Sequence, residues 1–144
     1  MKLDLWRFDE KTLRRTTKEL PNSILKEQAD LLAEKTDGII YGRITNMKFQ
    51  PQDREIIYNL ATVFEVVVPL LDNYSYTLLT IYSKPERDYP VAITVGSNLI
   101  DDAENFMPLY ECQDKEAFIQ ALKTVLSSEE VNSNISILYS KANF

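Results

Sequence analysis

The spacing of apolar residues changes twice along this chain, after Gly38 and again at Asp114, and that double change restricts the fold more than any other feature. Before Gly38 the period is helical. From Ile24, residues Leu25, Ala29 and Leu32, joined by Leu31, share one face, while Lys26, Glu27, Asp30 and Glu34 fall away from it. Upstream, Asp9 is placed to cap a short helix through Glu19, with Leu13, Thr17 and Leu20 at helical spacing. Pro21 then either breaks that pattern or starts the next helix. Lys35, Thr36, Asp37 and Gly38 end the segment, with a glycine where a left-handed cap is wanted.

Between the two changes the pattern is extended. Ile39 to Phe49 is rich in β-branched and aromatic residues, and a turn at Pro51, Gln52 and Asp53 leads into a second strand over Glu55 to Val68. In that strand Ile56, Tyr58, Leu60, Phe64, Val66 and Val68 are expected on one face. Asp72 and Asn73 reverse the chain into Tyr74 to Ser83. There strict alternation sets Tyr74, Tyr76, Leu78 and Tyr82 against Ser75, Thr77, Leu79 and Ile81. Tyr89 to Val95 and a short stretch over Leu109 to Cys112 complete four or five strands, and connections this short favour an antiparallel meander.

After Asp114, itself a helix cap, Phe118, Ile119, Leu122, Val125 and Leu126 restore the helical stripe. Ser127 and Glu130 have capping-box spacing, and Val131, Ile135 and Leu138 continue into a last helix expected to fray near Ser140. The reading is a single α+β domain over 1–144: an antiparallel four- to five-stranded meander sheet with N-terminal and C-terminal helices packed on one face.

Composition narrows the chemistry. Not one histidine occurs, and Cys112 is the lone cysteine. A serine or cysteine nucleophile needs a base, and a zinc site normally needs imidazole or several thiolates, so neither is to be assembled from this chain. A single cysteine forms no internal disulfide, which suits a reducing compartment. Gly38, Gly42 and Gly96 are scattered and make no phosphate-cradling motif. The longest apolar run, Val66 to Leu71, is flanked by Glu65 and Asp72 and is far shorter than the roughly 18 residues of a membrane span. The first residues, with Asp4 and Asp9 among apolar ones, lack the pattern of a secretory signal, so the expected location is cytoplasmic. A net charge of −6 repels nucleic acid and favours a basic protein partner. No cofactor and no catalytic residue is expected.

Two features point to a binding surface. Asp101, Asp102 and Glu104 crowd one polar loop, where they suit steering of a basic partner; their spacing is not that of a calcium-binding loop, so no metal is assigned to them. Tyr41, Tyr58, Tyr74, Tyr76, Tyr82 and Tyr89 all fall in the expected sheet. Cross-strand packing accounts for rings so placed. The other reading is a tyrosine-lined sheet face open to a partner, with Tyr74, Tyr76 and Tyr82 as its contacts.

Three stretches, SILKEQADLLAEKT at 23–36, NYSYTLLTIYSKPERDYPVAI at 73–93 and ECQDKEAFIQALKTVLSSEEV at 111–131, carry a resemblance that spans about half the chain. They resemble small bacterial proteins found beside toxin or defence genes and treated as immunity proteins. The resemblance is one of pattern and transfers no binding residue. It implies a small, non-catalytic protein that inhibits a cognate toxin, here a basic toxin domain, by direct binding. The alternative is a scaffold or sensor subunit of a bacterial defence or signalling complex.

Overall fold

Five strands follow one another in space in the order in which they occur in the chain, β1 to β5, each antiparallel to its neighbour. This computed structural model describes residues 2–16, 20–51, 54–96 and 107–143. The elements are α1 (Glu10–Thr16), α2 (Pro21–Lys35), β1 (Tyr41–Lys48), β2 (Leu60–Val68), β3 (Tyr74–Ser83), β4 (Val91–Val95), β5 (Tyr110–Cys112), α3 (Lys115–Leu126) and α4 (Glu129–Asn143). The α+β meander is therefore the one expected from the spacing, with helices before and after the sheet.

Local chemistry sets the boundaries. Asp9 caps α1, its Oδ1 accepting from the Thr12 N–H at 2.8 Å, and Asp114 caps α3 through the Ala117 N–H at 2.8 Å. At the end of α2 the Gly38 N–H reaches back to the Ala33 carbonyl at 2.8 Å, with Asp37 and Gly38 both at positive φ. The Thr36 hydroxyl then ties the helix to the sheet. It accepts from the Ile40 N–H at 3.1 Å, and the carbonyls of Leu32 and Ile40 lie at 2.9 and 2.8 Å as acceptors for its proton.

Gly42, on β1, decides how close α2 comes. A Cβ at this position would lie 2.8 Å from Phe64 Cζ and 2.9 Å from Ala29 Cβ, so only glycine lets α2 settle directly on the strand. The main core lies between the helices and one sheet face. It contains Leu25 and Ala29 of α2, Phe64, Val66 and Val68 of β2, Leu79, Ile81, Val91 and Ile93, and Phe118, Ala121, Leu122 and Val125 of α3.

Three expectations need correction. The second strand begins at Leu60 rather than Glu55; Ile56 and Tyr58 instead join Phe49, Ala61, Tyr82 and Ala92 in a smaller cluster on the opposite sheet face. The last helix starts one residue late and ends later. Ser127 donates its hydroxyl to the Lys123 carbonyl at 2.6 Å and closes α3, so the Ser128 Oγ accepts the Val131 N–H at 3.3 Å, and Ala142, packed against the core, extends α4 past Ser140 to Asn143. The first helix is described to Thr16; the rest of the segment expected through Glu19 lies outside the described residues.

The third correction bears on the site. Phe64 pairs with Leu79 while the next residue, Glu65, pairs with Thr77, which leaves Leu78 as an extra residue in β3. Such a bulge reverses the alternation beyond it. Tyr76 and Leu78 face the helices before the bulge, and Leu79 and Ile81 face them after it, so Tyr82 turns to the far side.

Candidate functional site

The helices stand on one sheet face without closing over it. α2 rests chiefly on β1, α3 on β5, and α4 against α3 and the 3-10 turn at Pro69–Leu71. Between α2 and the α3–α4 pair runs a groove of about 800 Å³. Phe64, Leu78 and Leu122 lie along it from the core, Ile24, Leu31 and Leu32 line it from α2, and Ile119, Leu126, Val131 and Ile135 from α3 and α4.

Each helix builds the groove from a stripe wider than its sheet contact. In α2, Leu25 and Ala29 are buried, while Leu31, 37% exposed, lines the groove. In α3, Phe118 and Leu122 are buried, and Ile119, 42% exposed, lies beside them. Among the described residues the charges that line the groove are Lys35, Lys115 and Lys123 with one acid, Glu27. On a chain of net charge −6, this opening is locally basic.

The three tyrosines expected to meet a partner do not form one surface. Tyr74 and Tyr76 lie together, ring centroids 6.5 Å apart, in a smaller cleft of about 470 Å³ with Leu71, Asn134, Ile137, Leu138 and Lys141. Tyr74 is 49% exposed, and burial raises the pKa of Tyr76. Tyr82 is fully buried on the other sheet face against Phe49, at a centroid distance of 4.7 Å, and offers nothing to a partner. Val63, Val67, Thr80 and Thr94 of that face are buried too, so Tyr82 does not lie on an open sheet face among the described residues. Asp101, Asp102 and Glu104 lie outside the described residues.

Burial raises the pKa of Tyr58, Tyr89 and Cys112 as well. Burial, with Glu111 adding its charge, pushes the Tyr58 hydroxyl up to about 12, and burial with Asp88 does the same for Tyr89. Burial also raises the Cys112 thiol, and Asp114 raises it further, which disfavours the reactive thiolate. Among the described residues no group of three or more Cys, Asp or Glu side chains is placed to hold a metal ion, and no helix is long and apolar enough to cross a membrane.

No family model, curated protein or solved structure matches this chain. Its function must therefore be argued from the groove. The sequence contains the signal for it, in the adjacent pairs Leu31–Leu32 and Phe118–Ile119, whose members sit about 100° apart around a helix and widen its apolar stripe beyond the sheet contact.

Proposed function

We propose that this chain is a non-catalytic protein-binding module that seats an apolar segment of its partner between α2 and the α3–α4 pair, acting as an immunity protein acts on its toxin. The groove carries this reading: it is lined by apolar residues of three helices, open at Leu31 and Ile119, and rimmed by lysine. An amphipathic helix is the natural occupant, because its i, i+3, i+4 and i+7 side chains present one apolar ridge to such a trough. The lysines favour acidic flanks on the inserted segment, even where the rest of the partner is basic. Stoichiometric inhibition needs only this binding energy, and the raised pKa values of Tyr58, Tyr89 and Cys112 accord with a surface that works without proton transfer near neutrality.

Co-expression with the product of the adjacent gene, followed by affinity capture, tests the proposal. A one-to-one complex is expected, and it should be lost in Ile119→Asp, a substitution at a half-open position that leaves the core intact. Equal capture by the variant would place the contact elsewhere. A large multi-subunit assembly would favour a scaffold or sensor subunit, and a small apolar molecule in native mass spectra would replace the protein partner altogether.

A further inference from the structure

The segment before α1 carries four large apolar side chains that, among the described residues, join neither hydrophobic cluster. Leu3, Leu5 and Trp6 are 84%, 83% and 74% exposed, and Phe8, whose ring lies 5.3 Å from that of Trp6, is exposed as well. Among the described residues none from 2 to 14 belongs to either hydrophobic cluster or lines the groove. One exposed leucine is ordinary. Four large exposed apolar side chains within residues 3–8, two on each side of an extended chain, can meet both walls of a trough at once.

The same chain thus displays an uncovered apolar segment and an unfilled apolar groove. Their dimensions agree. Residues 2–8 in extended form reach about 23 Å at roughly 3.3 Å per residue. The groove runs beside α2, of 15 residues, and α3, of 12, which at about 1.5 Å per residue measure about 22 and 18 Å. In the single chain the segment does not enter its own groove, so the groove it can fill is that of a second copy.

We propose that two copies of this chain pair by exchanging their N-terminal arms, residues 2–8 of each lying in the α2–α3–α4 groove of the other. The proposal rests on the groove being a protein-binding surface, and it identifies the occupant present before any other partner arrives. The area is adequate. With aromatic side chains contributing on the order of 150–250 Å² when fully buried, Leu3, Leu5, Trp6 and Phe8 at their observed exposure offer roughly 500 Å² per arm. Two arms and two grooves, each groove offering about half the area of an arm, then remove roughly 1,500 Å², within the range of specific, stable interfaces. Asp4, set between the apolar residues, suits the lysines of the rim, and Arg7 suits Glu27.

Trp6 is the one tryptophan of the chain, so its fluorescence reports the arm alone. The experiment follows emission wavelength and light-scattering mass of the full chain across a dilution series. A twofold mass at high concentration, with blue-shifted emission that moves to the red as the mass halves on dilution, is the expected result. Ile119→Asp in the groove and Leu5→Asp in the arm should each give a monomer with red emission, and Leu5→Asp touches no core residue that could unfold the body. A monomer with exposed Trp6 at every concentration overturns the proposal. So does a dimer whose Trp6 stays exposed, or a monomer whose Trp6 is buried independently of concentration, since the arm would then fold back on its own chain. A monomeric chain that still captures the adjacent gene product through Ile119 sinks the arm exchange and keeps the binding function; a dimer lost in both variants, with no product captured, does the reverse.

Discussion

Leu25 and Leu5 are the same residue, yet the first is fully buried and the second is 83% exposed. The difference lies in the company each keeps. In α2, Leu25, Ala29 and Leu32 repeat at helical spacing and present one ridge to β1, where Gly42 leaves room for the helix to descend. In the arm, Leu3 and Leu5 alternate with polar residues, and then Trp6 and Phe8 alternate in the opposite phase, so neither a helix nor a strand gathers all four on one face. Hydrophobicity alone therefore does not bury a segment. It needs a period matched to an element and a surface shaped to receive it.

Three substitutions would break or sharpen this contrast. Leu122, at the heart of the α3 stripe and 3% exposed, should lose about 2–5 kcal/mol of stability as Leu122→Ala in chemical denaturation; a loss below about 0.5 kcal/mol would show that the stripe does not dock α3 on the sheet. Gly42→Ala should cost about 1–3 kcal/mol, because the added methyl meets Phe64 and also the α2 backbone at Ala29 Cα, 3.1 Å away. An unchanged midpoint would mean that α2 is free to ride up from the strand. At the other extreme, Leu5→Ser should change the unfolding free energy of the dilute monomer by less than about 0.5 kcal/mol, as befits a side chain outside both clusters. A larger loss would reveal packing of the arm on its own body.

The element order, the caps at Asp9 and Asp114, the left-handed turn at Asp37–Gly38 and the sequential antiparallel strands follow from local rules, and all were legible in the residues. A carboxylate that caps its own helix, or a glycine that relieves a positive φ, acts within a few residues of itself, so its neighbours in sequence suffice to predict it. The candidate site was legible only in part. Leu31 and Ile119 could be assigned to helices, and their apolar neighbours to the sheet, but the distance between α2 and the α3–α4 pair depends on where β1 and β5 place those helices across the whole sheet. The tyrosines show the same limit. Alternation joins Tyr74, Tyr76 and Tyr82 on one face, and only the pairing of β2 with β3, which leaves Leu78 unmatched, sends Tyr82 into the opposite cluster. A single extra residue in a strand inverts everything beyond it, and whether it is extra depends on the partner strand.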